Sequence, residues 1–285
     1  MKESRLAAPV YGLLLIAVMG GCSPHSSVPA KRSVTSPDSL EEAARFNNSG
    51  AAKMAVGDIA GGLDDFREAV RRSPRTAMFQ ENLGWAMAKL GQYEGSLPPL
   101  SLAILLDPSD PQVWFKRGYV KTHLRDFQGA AEDYSRALKI SPGLTEAYGN
   151  RGMVRAMLQD WHGAIEDASM AIQLDPENSY NYWLRGWAHT NVENLSGSLS
   201  DYTEAIRLSP DDARLFVKRG EVRVKMGDKL GALSDLTKAI DLNPQEATYF
   251  LMRGQLNKEI GDHESARRDI NKAIQLDPRL LGQRS

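Results

Sequence analysis

The side chains able to do covalent or metal chemistry are few and scattered. Cys22 is the single cysteine, which excludes a disulfide framework, a multi-cysteine zinc site and a cysteine-ligated iron–sulfur cluster. The five histidines, His25, His123, His162, His189 and His263, never pair at the i, i+4 spacing that lets two imidazoles on one helix hold zinc. His162 and Glu166 stand one helical turn apart as a lone pair, which reads as a surface contact. No glycine-rich loop precedes a Lys-Ser or Lys-Thr, so nothing is laid out to cradle a phosphate. These residues predict a protein without catalysis, cofactor or metal. Charge narrows the partners too. Lys+Arg number 35 against Asp+Glu 36, a net charge of -1, so no positive field favours nucleic acid. With 42% apolar and 25% charged residues, the chain has the composition of a folded soluble body.

Cys22 itself sits in a telling place. Lys2 and Arg5 precede the uncharged stretch Leu6–Gly21, whose centre is Leu13-Leu14-Leu15-Ile16-Ala17-Val18. That stretch is short for a bilayer span and matches the apolar region of a secretory signal. Met19-Gly20-Gly21-Cys22 resembles the lipobox of bacterial lipoproteins, with Met19 where an aliphatic residue such as Leu is usual. The resemblance implies that residues 1–21 are a signal peptide and that Cys22 receives lipid and becomes the mature N-terminus. Ser23 follows, with no Asp to imply retention at the inner membrane, so outer-membrane anchoring facing the periplasm is expected. Residues 22–39 are rich in Ser and Pro and read as a flexible tether with a reach of roughly 20–25 Å. Ser39-Leu40-Glu41-Glu42 has the form of a capping box, so the first helix is expected to start there.

Beyond the tether a period of 34 residues governs everything. Gly50, Gly84, Gly118, Gly152, Gly186, Gly220 and Gly254 keep that step. So do Ala69, Ala103, Ala137, Ala171, Ala205, Ala239 and Ala273, and Pro74, Pro108, Pro142, Pro176, Pro210, Pro244 and Pro278. A fixed period over seven copies is the signature of a stacked-repeat architecture. The columns resemble the tetratricopeptide repeat, with an aromatic at position 4, Gly at 8, Ala at 27 and Pro at 32. On that resemblance the repeats run 43–76, 77–110, 111–144, 145–178, 179–212, 213–246 and 247–280, with 281–285 as a short tail. The fold implied is an all-α, right-handed superhelical solenoid of about 14 antiparallel helices.

Each column has a physical expectation. Gly at 8 and Ala at 27 mark the close crossing of the two helices in a repeat. Position 4 (Phe46, Trp114, Tyr148, Tyr182, Phe216 and Phe250) is expected to fill the space beside the glycine. Asp58, Asp126, Asp160, Asn194, Asp228 and Asp262, at position 16, are placed to cap the second helix. Arg at position 7 (Arg117, Arg151, Arg185, Arg219 and Arg253) co-occurs with Asp at 23 (Asp133, Asp167, Asp201, Asp235 and Asp269), which predicts a structural ion-pair ladder. Pro98-Pro99 falls inside the second helix of repeat 2, where a kink or a late start is expected. Arg267 replaces the apolar residue of position 21 and gives the last helix the polar outer face of a solenoid cap.

The resemblance also implies where binding happens. First helices of such arrays line a concave surface through positions 2, 5, 6, 9, 12 and 13. Here those positions hold Trp85, Phe115, Lys116, Tyr119, Met153, Tyr180, Trp183 and Trp187, with Met157 and Leu184 beside them. Asn82, His123, Asn150, Asn191, Lys218 and Lys225 are their polar companions. Large rings at solvent-facing positions imply a groove for an extended peptide or helix. The alternatives are rings folded down as extra core, or rings that stack on sugars. Of the family's clamp for C-terminal peptides only Asn82 and Lys116 match, so that mode is not expected. The function implied is a non-catalytic envelope scaffold for a protein or peptide partner, anchored by lipid at Cys22. The alternative is a self-associating structural protein of a pilus, secretion or polysaccharide-export assembly.

Overall fold

In a computed structural model of the chain the described residues are 37–283, with side chains described from 39 to 280. The signal segment, Cys22 and the tether as far as residue 36 lie outside them. Fourteen α-helices follow one another among the described residues, and no strand occurs there. They are α1 (Pro37–Ala55), α2 (Ile59–Arg72), α3 (Ala77–Lys89), α4 (Tyr93–Leu106), α5 (Pro111–His123), α6 (Phe127–Ile140) and α7 (Thr145–Met157). Then come α8 (Trp161–Leu174), α9 (Ser179–Asn191), α10 (Leu195–Leu208), α11 (Ala213–Lys225), α12 (Lys229–Leu242), α13 (Ala247–Glu259) and α14 (His263–Leu276), followed by a 3-10 helix, Pro278–Gln283. From α3 onward every first helix occupies positions 1–13 and every second helix positions 17–30. The all-α helix–turn–helix repeat architecture is thus the one the period predicts.

Local chemistry sets these boundaries. Asp58, Asp126, Asp160, Asn194, Asp228 and Asp262 each accept the backbone N–H three residues on, at 2.9–3.1 Å, which satisfies a donor that the helix start leaves unpaired. At the far end the N–H of Ser73, Asp107, Ser141, Asp175, Ser209, Asn243 and Asp277 bonds the carbonyl of the position-27 alanine at 2.8–2.9 Å. Proline comes next and cannot continue the helix. Between the helices position 15 is left-handed. Gly57, Gly91, Gly227 and Gly261 fill it in four repeats, while Arg125, Gln159 and Glu193 adopt φ of 59–64° in the others.

Two helices differ from expectation. α1 begins at Pro37 and runs through Ser39, because the fixed φ of proline suits a first helical position. α4 runs without a break from Tyr93 to Leu106 with Pro98 and Pro99 inside it; it neither starts late nor stops early. The prolines orphan the carbonyls four residues back, those of Glu94 and Gly95. Both residues are exposed, so water can satisfy the oxygens.

The helices form two compact units divided between Arg151 and Gly152, within α7. In the first, Phe66 and Leu63 pack with Ala86, and Trp85, Leu100, Ala103, Ile104, Val113 and Val120 form a second cluster. In the second, Met153, Ala164, Ala168, Leu184 and Ala188 form one cluster, and Phe216, Leu236, Ile240, Tyr249 and Phe250 belong to another. In repeats 1, 2, 3 and 7 the residue packed closest on the position-8 glycine is that at position 24, not position 4. A Cβ on Gly50 would meet the Phe66 ring at 2.8 Å, on Gly84 Leu100 at 2.7 Å, and on Gly118 Tyr134 at 2.9 Å. The position-4 rings from Trp114 to Phe250 each lie beneath their own Arg of position 7, with guanidinium-to-centroid distances of 5.1–5.9 Å.

The Arg–Asp ladder is present in repeats 3, 5, 6 and 7. Arg117, Arg185, Arg219 and Arg253 each hold a buried Asp (Asp133, Asp201, Asp235, Asp269) through two nitrogens, with Nη2–Oδ1 at 2.7–2.8 Å. Planar two-point pairing is the geometry that makes Arg hard to replace by Lys. Two further columns complete it. Position 11 supplies a second donor: Lys121 to Asp133 at 2.8 Å, Arg155 to Asp167 at 3.0 Å, Arg223 to Asp235 at 2.8 Å and Asn257 to Asp269 at 3.2 Å. Position 25 supplies a hydroxyl from the preceding repeat. Arg117 donates to Ser101, Arg151 to Ser135, Arg185 to Ser169, Arg219 to Thr203 and Arg253 to Thr237, at 3.0–3.3 Å. Arg117, Arg185, Arg219 and Arg253 therefore each tie their own two helices together and their repeat to the one before.

Candidate partner-binding face

The residues named for a groove separate into two groups, one in each unit. In the first unit α3 presents Glu81, Trp85 and Lys89 one turn apart, and α5 presents Lys116, Tyr119 and His123. Trp85 meets Tyr119 edge-on at 5.4 Å. Tyr119 lies 4.5 Å from His123, which stacks on Tyr93 of α4 at 4.3 Å and 6°. Burial pushes the Tyr119 phenol up and the His123 imidazole down, since each is disfavoured in its charged form. His123 Nε2 is buried without a hydrogen-bond partner. Lys116 is an ion-pair member, 2.5 Å from Glu81. Asn82 donates to Asn47 at 2.8 Å, so both side chains that match the C-terminal clamp are engaged within the protein.

Phe115 and Trp85 correct the expectation of solvent-facing rings. Phe115 is only 2% exposed and packs at 5.7 Å against Tyr134; it is core. Trp85 is 6% exposed, and its ring is flanked by the ammonium groups of Lys89 and Lys116. Asn150 is fully buried and leaves both amide atoms unpartnered.

In the second unit α9 carries Tyr180, Trp183 and Trp187 in a run. Tyr180 and Trp183 lie 5.5 Å apart, and Trp183 stacks on Trp187 at 5.8 Å and 21°. Trp161, the first residue of α8, closes the group edge-on to Trp187 at 5.3 Å. All four rings are half-buried. Met153, at 5% exposure, and Leu184, at 0%, belong to the core on which these rings pack, so neither is a groove residue. Asn191 donates to the Trp187 carbonyl at 2.8 Å, and Lys218 pairs with Glu221 at 2.8 Å. Burial raises the Tyr180 phenol above its ordinary range. Contiguous, partly exposed indoles offer a large rigid contact area at low entropic cost.

Sequence reasoning passed over Trp161, Tyr93, Lys89 and Glu81. Trp161 and Tyr93 share position 17, a column visible at the 34-residue step, but nothing in the spacing says that a second helix's first residue reaches the rings of a first helix. Among the described residues no group of three or more His, Cys, Asp or Glu is arranged to hold a metal, and no helix is long and apolar enough to cross a membrane.

Seven helix–turn–helix units in one constant register, six of them with a side-chain cap on the second helix, define a protein of the stacked-repeat class. The tetratricopeptide repeat family model matches residues 48–111, 100–145 and 217–280, and the chain belongs to that family. Solved structures agree on the fold. A tetratricopeptide repeat protein from Parabacteroides merdae aligns with TM-score 0.63 and 20% identity, over 83% of this chain and 94% of that one. Pseudomonas aeruginosa pilF aligns with TM-score 0.60 and 20% identity, over 76% and 94%. YrrB, described as having an unusual peptide-binding site, aligns with TM-score 0.57 and 21% identity, over 63% and 92%. A search of curated protein sequences finds no match. Proteins of this fold act as protein-interaction scaffolds that bind protein or peptide partners, and are generally non-catalytic.

Proposed function

We propose that this protein is a scaffold of the bacterial cell envelope, lipid-anchored at Cys22 to the outer membrane, that holds a protein partner through the inner faces of its repeats. The observation that carries the reading is the half-exposed run Tyr180, Trp183 and Trp187 with Trp161 beside it. Large rings in contiguous, accessible groups are depleted from ordinary surface and enriched at binding sites. The envelope part is supported by Lys2, Arg5, the apolar stretch and Met19-Gly20-Gly21-Cys22. The two similar structures whose names bear on function, one with a peptide-binding site and one a pilF, are in keeping with it.

The test is a pull-down from detergent-solubilised envelopes of the native host with the full chain, a Trp183→Ala/Trp187→Ala variant and a Cys22→Ser variant. Circular dichroism first confirms that all three are folded. The expected result is a partner captured by the parent and lost by the tryptophan variant, with the Cys22→Ser protein moved from the membrane to the soluble fraction. Equal capture by parent and tryptophan variant overturns the aromatic face. Capture of the same chain alone turns the reading to self-association, and unchanged partition of Cys22→Ser overturns the anchor.

A further inference from the structure

One second helix turns an uncharged face to solvent. Positions 22 and 29 are exposed in all seven second helices, and position 26 is exposed or half-buried. These positions share one helix face. On six of the helices they carry at least one charge, as with Asp64, Glu68 and Arg71 on α2 or Glu132, Arg136 and Lys139 on α6. On α4 they are Pro98, Leu102 and Leu105, and Leu105 is 79% exposed. Repeat 2 is also the repeat with neither member of the Arg–Asp pair, having Leu83 and Pro99 in those places. Amphipathic groups border the strip. Trp114 is half-buried, packs on the cluster that holds Ile104, and donates its indole N–H to the Pro108 carbonyl at 3.0 Å. The Arg136 guanidinium lies 5.8 Å from the centre of that ring, and Lys139 follows one turn along α6. Glu94 and the carbonyls that need water stand at the other end of α4, about 16 Å from Leu105 along the helix.

We propose that the outer face of α4 rests on the bilayer that holds the lipid of Cys22, with Leu102 and Leu105 inserted and Trp114, Arg136 and Lys139 at the headgroups. This rests on the lipid-anchored reading and adds a second contact, which fixes the side of repeats 2 and 3 that faces the membrane. Chain length permits it. Residues 23–36 span at most about 50 Å when fully extended. From α1, α4 is two packing steps away through α3, each of about 8–10 Å. The size of the strip decides what covers it. A stable complex between two free proteins buries about 800 Å² on each side, through roughly 20–30 residues. Three side chains fall far short of that. A contact made by a tethered body forms at an effective concentration of about millimolar order, so a few apolar side chains are enough. With 14 residues, α4 is too short to cross a bilayer and lies in the interface. There leucines enter the boundary of headgroups and acyl chains while Trp, Arg and Lys stay with the headgroups.

The test is hydroxyl-radical footprinting of the full chain, read residue by residue by mass spectrometry. The lipid-bearing protein on phosphatidylethanolamine–phosphatidylglycerol vesicles is compared with the Cys22→Ser protein in lipid-free solution. Leu230 of α12, 75% exposed, is the reference. The expected result is loss of oxidation at Leu102, Leu105 and Trp114 on vesicles, while Leu230 keeps its solution rate. In Leu105→Glu, an exposed substitution that leaves the core intact, Trp114 regains its solution rate; in Leu105→Phe it stays protected. Equal oxidation of Leu105 in solution and on vesicles overturns the docked face and leaves the anchor and the Trp183–Trp187 site as they stand. Protection of Leu105 and Leu230 alike is shielding by the vesicle at large and overturns it too. Protection that appears without lipid and grows with protein concentration assigns the face to a second copy of the chain. Where Cys22 carries no lipid, the anchor reading fails, and coupling its thiol to a maleimide-bearing lipid supplies the tether. Docking is then read in the same way, so the two readings fail separately.

Discussion

At the scale of single residues, the period makes the chain its own control, because each position is repeated in a known environment. Position 11 shows this best. Lys121, Arg155, Arg223 and Asn257 donate to the buried Asp of position 23, whereas repeat 5 has His189, whose Nε2 lies 3.8 Å from Asp201. Burial outweighs the attraction of Asp201 and lowers the His189 pKa; burial also lowers that of His123. Both imidazoles therefore resist protonation in the folded state while the unfolded chain takes up protons near the ordinary value of 6.5. Stability is expected to be fully present above that pH and to decline as pH falls through it. In urea unfolding across this range, His189→Arg is expected to flatten part of the slope and to give Asp201 the position-11 cation that Asp133, Asp167 and Asp235 have. An unaltered slope would place the pH dependence elsewhere.

At the scale of elements, the crossing of the two helices in a repeat varies along the chain despite an invariant glycine. A Cβ on Gly84 would sit 2.7 Å from Leu100 and 3.1 Å from the Ser96 carbonyl, whereas on Gly220 the nearest atom is 3.6 Å away. Gly84→Ala is expected to cost about 1–3 kcal/mol through overpacking. Gly220→Ala is expected to stabilise by about 0.5–1 kcal/mol, because alanine replaces glycine inside a helix. Denaturation midpoints of the two variants moving in the same direction would contradict this. Helix existence and order were legible in the sequence because the glycine, alanine and proline columns each mark one event per repeat: crossing, closing, stopping. The fate of individual rings was not. Phe115 and Tyr119 stand four residues apart on α5, yet one is core and the other half-exposed, since which side of a helix is covered depends on the neighbour's side chains rather than on spacing. Pro98-Pro99 did not delay the start of α4 for a related reason: a proline pair is read as a breaker, but the two residues whose carbonyls it orphans, Glu94 and Gly95, are exposed.

At the scale of the whole molecule, the candidate site was legible in kind more than in detail. Tyr180, Trp183 and Trp187 come together as their spacing suggests, while Trp161, Lys89 and Glu81 join through the packing of neighbouring helices that no periodicity announces. The signal-like start and Cys22 belong to the same picture as a proposal about where the scaffold works. The columns at positions 7, 23 and 25 say something further about how such a chain can change length. Every arginine from repeat 3 onward meets a hydroxyl on the repeat before it, and that hydroxyl is Ser or Thr each time. The connectors are therefore interchangeable, like identical couplings between carriages. Removal of residues 179–212 would bring Arg219 to Ser169, the partner that Arg185 uses now. Such a 34-residue excision is expected to yield a folded, cooperatively melting shorter protein, whereas excision of one residue more or fewer should not. If both excisions melted alike, the coupling would be incidental. If they differ, the array can grow or shrink by whole units without redesign, and its reach toward a partner becomes a quantity that simple duplication can adjust.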